Sequence, residues 1–260
     1  MKPQLEIFGR LISTYALFSV IGILLALWIF CLLLNKRGVP DSQGFYLVLI
    51  GSGGAFLGSH ILYMITRLGD ITQIFKSTNA IIAVADILGG SVFYGGLLGG
   101  IIAGGIYLKS AKLDFRAYTD AIAVVIPFFH AFARVGCFFA GCCYGKESTV
   151  GFLIKENFLI PSVVGVRRFP VQLLEATFNI LLFVALILIY FRSLKKEKLR
   201  VGLFPIYLLC YSIIRFFIEF LRGDTVRGIW WGLSTSQWIS VGIFIVVIIG
   251  VIIDCRKRKI

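Results

Sequence analysis

Residues 11–34 read LISTYALFSVIGILLALWIFCLLL, an unbroken run of mainly apolar side chains. A helix that crosses a bilayer needs about 20 such residues, because the hydrocarbon core is about 30 Å thick. The apolar core of a signal peptide is shorter, at about 7–15 residues, and it ends in a small-residue cleavage motif that this run lacks. The run therefore predicts a first membrane span that is not cleaved.

The whole chain has the composition of a multi-spanning membrane protein. Of its 260 residues, 58% are hydrophobic and 15% are charged, against about 25% charged residues in an average soluble domain. This composition excludes a simple soluble enzyme, a disordered chain and a fibrous repeat. The net charge of +13 lies mostly in short loops between apolar runs, where basic residues set topology and contact lipid headgroups. We therefore expect no nucleic-acid partner.

Further runs of this kind predict an all-α membrane protein, a polytopic bundle of seven transmembrane helices in a single domain over residues 1–260. The runs are continuously apolar, whereas strands of a membrane β-barrel alternate apolar and polar residues. Residues 67–85 carry charges and are interpreted as an interfacial segment. Residues 141–170 are interpreted as a longer irregular extracytoplasmic connection, in which the sequence leaves strands open. The predicted spans are approximately 11–34, 44–66, 86–108, 118–140, 171–191, 201–221 and 236–254.

Basic residues predict how this bundle is oriented. They are more numerous on the side that holds the C-terminus, with dense clusters at residues 192–200 and 256–259. By the positive-inside rule the N-terminus lies outside and the C-terminus in the cytoplasm.

Polar and ionisable side chains inside the spans gather at one depth, towards the outer side. Such groups cost several kcal/mol in a bilayer and are therefore functional candidates. Asp120, near the inner end of the fourth span, is the main exception. The members of this polar layer are Tyr15, His60, Tyr94, His130, Arg134, Gln172, Glu175, Arg215 and Glu219.

Arg134 and Arg215 suggest a site for a lipid phosphate. The guanidinium group binds phosphate oxygens in a fork geometry, and we expect few acids near these two arginines. Glu219 is four residues after Arg215 and can pair with it, and Tyr211 and Arg222 extend the same helix face. The competing interpretation is that the arginines extend to the membrane interface and have no further role. This alternative is strongest for Arg222.

The third span is rich in glycine between residues 89 and 105. Small residues four apart allow two helices to approach closely in lipid. This packing explains most of the glycines, and we expect it to place Tyr94 in the bundle interior.

Three cysteines, Cys137, Cys142 and Cys143, are spaced C-x4-C-C. The pattern lacks a second ligand pair, so His130 would have to complete a metal site. We therefore expect no metal, while a disulfide or another thiol role at the outer face stays open.

Five motifs in order make the chain resemble the prolipoprotein diacylglyceryl transferases. RVGCFFAGCCYG at 134–145 is similar to that family's Arg-x-Gly-Asn-Phe-x-Asn-Gly-Glu-x-x-Gly, and PVQLLEA at 170–176 to its Pro-x-Gln-Leu-x-Glu-Ala. YSIIRFFIEFLR at 211–222 is similar to its Tyr-x-x-x-Arg-x-x-x-Glu-x-x-Arg. The remaining two are YALFSVIG at 15–22 and GSVFYGGLLGG at 90–100.

The resemblance implies an enzyme of the bacterial cytoplasmic membrane without a cofactor. Its reaction moves a diacylglyceryl group from phosphatidylglycerol to the cysteine thiol of a prolipoprotein signal sequence. Arg134 and Arg215 would hold the phosphate and stabilise the leaving group, and Glu219 would orient Arg215. By the same resemblance Tyr15, Gly145, Tyr211 and Arg222 would line the substrate site.

The chain also departs from the family pattern. Tyr94 stands where the third span of the family has a histidine, and Cys137, Ala140 and Cys142 replace the signature Asn, Asn and Glu. A tyrosine with a pKa near 10 is a poor base, so His60 or His130 would have to take the thiol proton. The alternatives are another acceptor, lipid binding without catalysis, and a small-molecule transporter, against which the lack of an internal repeat argues.

Overall fold

The computed structural model describes residues 3–7, 9–67, 90–154, 163–195, 201–224 and 228–257. Within these ranges the chain forms seven long helices, and small antiparallel strand pairs lie before the first helix and in two of the connections. The helices are α1 (Thr14–Arg37), α2 (Asp41–Thr66), α3 (Phe93–Ser110), α4 (Phe115–Ala140), α5 (Val171–Lys195), α6 (Leu203–Ile218) and α7 (Thr235–Lys257).

The predicted all-α membrane fold is confirmed. Six of these helices are long and apolar enough to cross a bilayer, and α6 reaches that length with the 3₁₀ turn Glu219–Leu221 that continues it. The 18-residue α3 is not among the six, so a count of seven spans is approximate. The predicted interfacial segment lies outside the described residues from position 68 onward, as do residues 196–200 and 258–259 of the two basic clusters.

Two helices begin a few residues after the approximate starts of the predicted spans. Residues 11–13 belong to strand β2 (Arg10–Ser13), which pairs with β1 (Gln4–Ile7) in a hairpin. Helix α1 begins only at Thr14, whose backbone N–H and hydroxyl both donate to Pro3. Helix α3 begins at Phe93 rather than at residue 86, because Val92 is extended, with φ −115° and ψ 121°.

The described residues fall into two compact units, and the predicted single domain stays a prediction. The first unit comprises residues 34–118 and contains α2 and α3. These two helices pack backbone against backbone through the predicted glycine face. A Cβ atom placed at Gly54 would lie 2.6 Å from the carbonyl oxygen of Gly99, and one placed at Gly58 would lie 2.9 Å from the Gly99 Cα.

Tyr94 is not driven into the interior by this packing, contrary to the prediction. Its exposed fraction is 41%. Gly95 and Gly99 form the contact with α2, and Tyr94 is one residue earlier, hence about 100° around the helix from that face.

The second unit comprises residues 1–33 and 119–260 and holds α4 to α7 with most of α1. Its core includes Phe30, Leu186 and Tyr190, and the Tyr190 hydroxyl donates to the Leu33 carbonyl at 2.8 Å. Asp120, the charged residue outside the polar layer, is buried. Its Oδ1 accepts a hydrogen bond at 2.7 Å from the Leu203 N–H, the first of α6, so it caps a helix whose own N-terminal residues offer no side-chain cap.

The connection from α4 to α5 is irregular only in part and contains strands, which the sequence leaves open. Strand β3 (Glu147–Leu153), with its β-branched and aromatic residues, pairs antiparallel with β4 (Arg167–Arg168) and contains a bulge. A second hairpin, β5 (Ile229–Trp230) with β6 (Leu233–Ser234), precedes α7. These two strand pairs, β3 with β4 and β5 with β6, lie at the same end of the unit as the C-termini of α4 and α6.

Candidate functional site

Four charged side chains from three helices meet in the interior of the second unit. Arg134 of α4 and Arg215 of α6 flank Glu175 of α5, and Glu219 continues from α6. The Arg134 Nε lies 3.0 Å from Glu175 Oε2, and the Arg215 Nη1 lies 3.8 Å from Glu175 Oε1. The Arg215 Nη2 lies 2.9 Å from Glu219 Oε2. We call these four residues the charged quartet.

The charged quartet is buried and pre-organised. The side chains of Arg134 and Arg215 are 15% and 13% exposed, and those of both glutamates 3%. This burial contradicts the interpretation that the two arginines extend to the interface. The expectation of few nearby acids is also wrong, because the two glutamates balance the two guanidinium groups.

The guanidinium groups of the charged quartet have N–H donors that are not used within it. Each guanidinium group carries five N–H donors. The Arg215 Nη1 is buried without a hydrogen bond to the described residues, and Arg215 Nη2 also donates to Ser236 Oγ at 3.2 Å. Because a buried donor left unpaired costs about 1–3 kcal/mol, an oxygen-rich anion is the ligand that this arrangement suits.

A stacked aromatic layer lies one helical turn along from the two arginines. His130 precedes Arg134 by four residues and Tyr211 precedes Arg215 by four, and their rings stack with centroids 5.3 Å apart. The His130 Nδ1 is buried without a hydrogen bond to the described part of the chain. The structure thus brings the predicted Tyr211 to the charged quartet, together with a histidine that has hydrogen-bonding capacity.

The loop after α4 carries Gly145 to the end of α6. Gly145 bridges to Arg222 through the backbone, and a Cβ at Gly145 would collide with the Phe169 carbonyl oxygen, so this position requires glycine. The Arg222 side chain is 7% exposed and forms a two-pronged pair with Asp224 at 2.9 and 3.2 Å. The alternative that Arg222 only extends to the membrane interface is therefore wrong.

The thiols of this loop share the positive surroundings of the arginines. Hydrogen bonds with the Cys137 and Cys142 thiols lower the pKa of Cys143 below its usual value, and the charges of Arg222 and Arg134 act in the same direction. All six cysteines of the chain are free thiols.

An apolar groove runs beside the charged quartet. It has a volume of about 500 Å³ and lies between α1, α4 and α5. Ala131 lies one turn from Arg134, and Ala176 directly follows Glu175. The lining residues are Phe18, Ala131, Phe132, Val135, Leu173, Ala176, Thr177, Ile180 and Leu181.

For two predicted site residues, Tyr15 and Tyr94, no contact with the charged quartet within the described residues supports their predicted roles. Tyr15, at the start of α1, is 44% exposed, although a Cβ at Gly136 of α4 would lie 3.2 Å from its Cα. Tyr94 belongs to the first unit, as does His60. Their roles stay predictions.

The whole chain matches a known enzyme family. The model of the prolipoprotein diacylglyceryl transferases covers residues 4–253. The chain belongs to that family. It is similar to a phosphatidylglycerol–prolipoprotein diacylglyceryl transferase of Clostridium tetani, with 34% identity over 253 residues, 94% of this chain and 96% of the relative.

Further relatives give the same picture. A second such transferase, from Clostridium perfringens, is 33% identical over 242 residues, 92% of this chain and 90% of the relative. One from Enterococcus faecalis is 28% identical over 267 residues, 98% of this chain and 90% of the relative. These relatives confirm the resemblance, and with the apolar helices they support a multi-pass bacterial membrane protein.

For a member of this family, the residue that the sequence reasoning overlooked is Glu175. It belongs to the polar layer and to the PVQLLEA motif, but neither pattern predicts a role for it. In the structure it contacts both arginines and is the most central member of the charged quartet. The coincidence of depth and motif was the signal that would have identified it.

Proposed function

We propose that the chain transfers a diacylglyceryl group from phosphatidylglycerol to the cysteine thiol of a prolipoprotein signal sequence. The observation that carries the proposal is the charged quartet, in which two buried guanidinium groups are held on membrane helices of a chain from this family. The alternative of another acceptor or of binding without catalysis is not favoured, because relatives matched over nearly their full length carry the transferase name.

The chemistry requires charge stabilisation at the phosphate. The thiol sulfur attacks the phosphate-bearing carbon of the diacylglyceryl group, a sulfur–carbon bond forms, and the bond between that carbon and the phosphate oxygen breaks. The electron pair goes to the phosphate oxygen, and glycerol phosphate leaves. Arg134 and Arg215 would hold the phosphate and stabilise the charge that develops on this oxygen, with Glu175 and Glu219 keeping both guanidinium planes in place.

The donor lipid has two parts, and the unit offers a surface for each. The phosphate would occupy the charged quartet, with Tyr211, Gly145 and Arg222 completing the headgroup pocket. An acyl chain would lie in the apolar groove, whose lining includes Ala131, one turn before Arg134, and Ala176, which directly follows Glu175. Tyr15, near the same end of α4, would contact the substrate as it enters.

The acceptor thiol must lose its proton, because a free thiol has a pKa of about 8.5. His130 is the proposed base candidate in the unit that contains both arginines. Its buried Nδ1 has no hydrogen bond within the described residues. In the first unit, Tyr94 stays a candidate catalytic residue and His60 an alternative base.

We also propose that the charged quartet is reached from the outer leaflet. The basic clusters at the C-terminal ends of α5 and α7 support this orientation, because the positive-inside rule predicts that those helix ends are cytoplasmic and that the N-terminus is outside. Exposed Trp230 and Trp231 lie in the connection before α7, at the other end of α7 from its basic cluster, and aromatic residues are enriched at membrane interfaces. Thiol labelling of intact cells should modify a cysteine placed at residue 230 and spare one placed at residue 256.

The test is transfer by purified protein in lipid nanodiscs, with labelled phosphatidylglycerol and a lipobox peptide. Wild-type protein should form the thioether-linked product, and Arg134→Ala should lose at least 99% of the rate, which corresponds to about 2.7 kcal/mol of lost stabilisation. Arg256→Ala is the matched control, since Arg256 is exposed at the end of α7.

Two results would contradict the proposal. Absence of product with a competent family enzyme as positive control would rule out the reaction, and retained lipid binding in that case would indicate a protein that binds without turnover. Full activity of Arg134→Ala would refute the phosphate-holding role.

A further inference from the structure

Three thiols converge at the end of α4, outside the charged quartet. The Sγ atoms of Cys137, Cys142 and Cys143 all lie within 4.8 Å of one another. Cys137 is buried in the last turns of α4, and the other two are half-buried in the loop that follows. We call these residues the thiol triad.

The helix end itself folds the thiol triad together. Gly141 has φ +75°, which ends α4 in the left-handed turn that glycine favours. The Cys142 N–H then donates back to the Cys137 carbonyl at 3.2 Å, so Cys142 lies over the last turn of α4. Cys143 has φ +55°, a conformation uncommon for a residue with a Cβ atom, and it turns a third sulfur towards the other two.

Two further hydrogen bonds hold the loop that carries Cys142 and Cys143 in place. The Gln172 Nε2 of α5 donates to the Cys142 carbonyl at 2.8 Å, and the Gly223 N–H donates to the Tyr144 carbonyl at 3.0 Å. Strained backbone persists only where its surroundings over-determine it. The three sulfur atoms are therefore positioned before any ligand arrives.

We propose that the thiol triad binds one soft, thiophilic metal ion, such as zinc or monovalent copper. Thiolates select such ions over magnesium or calcium. Around a metal–sulfur distance of about 2.3 Å, tetrahedral ligands are about 3.8 Å apart, so the triad needs only a small contraction. A fourth position stays open to water or to another ligand.

The surrounding charges suit a metal–thiolate complex. Binding of a divalent ion releases the three thiol protons to solvent and leaves a complex with one net negative charge. The Arg134 Nη1 lies 3.9 Å from the Cys137 sulfur, and Arg222 pairs through its backbone with Gly145, two residues after Cys143. These cations stabilise the bound form and link the ion to the position of Arg134.

The sequence-based expectation of no metal rested on the need for a further protein ligand such as His130. The structure stacks His130 on Tyr211 and brings the three sulfur atoms together without it. The thiol triad is therefore a metal site of three protein ligands, which the C-x4-C-C spacing alone did not indicate.

The experiment uses the full chain, purified in detergent under reducing conditions and stripped with a chelator. Cadmium is the probe, because thiolate-to-cadmium charge transfer absorbs in the near ultraviolet. Wild-type protein should bind about one cadmium ion per chain by mass spectrometry of the metal, and cadmium should displace zinc that was bound beforehand. The Cys137→Ser, Cys142→Ser and Cys143→Ser variants should each lose most of this binding.

Cys255→Ser is the matched control, because Cys255 lies at the far end of α7, and it should bind as wild type. Circular dichroism verifies that each variant keeps its helix content. Equal cadmium binding by wild type and by a triple serine variant would overturn the proposal. A disulfide between two of the three cysteines in protein taken from its native membrane would also overturn it, in favour of a redox pair. The assay contains neither phospholipid donor nor peptide acceptor, so its outcome is independent of the transferase proposal.

Discussion

Glu175→Gln is the substitution that most directly tests the charged quartet. Glutamine has nearly the same shape as glutamate but no charge. It would leave Arg134 and Arg215 with Glu219 as the remaining carboxylate of the charged quartet. We expect the variant to fold and insert but to hold both guanidinium groups poorly.

The magnitude follows from the burial and the distances. Glu175 lies 3.0 Å from Arg134 and 3.8 Å from Arg215, with 3% of its side chain exposed. Removing one partner of a buried ion pair costs about 3–5 kcal/mol. If about 3 kcal/mol of this cost is lost stabilisation of the transition state, the rate of transfer falls more than a hundredfold.

The assay measures kcat and KM for transfer in nanodiscs, together with thermal unfolding. Glu147→Gln is the matched control, because Glu147 pairs with Arg168 at 3.7 Å but is 72% exposed. Exposed pairs contribute about 0–1 kcal/mol, so this variant should keep nearly the full rate and stability.

Full activity and unchanged unfolding of Glu175→Gln would refute the reasoning, because a buried carboxylate between two arginines would then contribute nothing. A loss of the same size in Glu147→Gln would refute it equally, since burial would no longer distinguish the two acids.

Three other predictions concern separate parts of the chain. His130→Asn should lower kcat at least about tenfold without changing lipid binding if the imidazole takes the thiol proton, whereas an unchanged kcat would exclude it as the base. Gly58→Val should lower the free energy of unfolding by about 1–3 kcal/mol through overpacking against α3, measured by thermal unfolding in detergent. The control Gly53→Val has open space around its Cβ position, and equal losses would disprove the close approach. Asp120→Ala should cost about 0.5–2 kcal/mol through loss of the cap on α6, and an unchanged midpoint would show that the 2.7 Å hydrogen bond to Leu203 is not stabilising.

Much of the fold could be predicted because long apolar runs leave few structural options in a bilayer, where helices satisfy their own backbone hydrogen bonds. The start of α3 could not, since nothing in the local composition shows that Val92 is extended. The same holds for β3, whose partner strand β4 lies 14 residues beyond its end.

The positions of Arg134, Arg215 and Glu219 within their predicted spans already predict that they lie at one depth in the membrane. The family motifs indicate the chemistry of these residues. Only the tertiary structure decided that Glu175 joins the two arginines and that the three cysteines meet. The physical reason is that depth follows from counting residues along each helix, whereas rotation about the helix axis is set by packing. Residues on different helices become neighbours only when that rotation brings their faces together, and no pattern within a single helix contains this information.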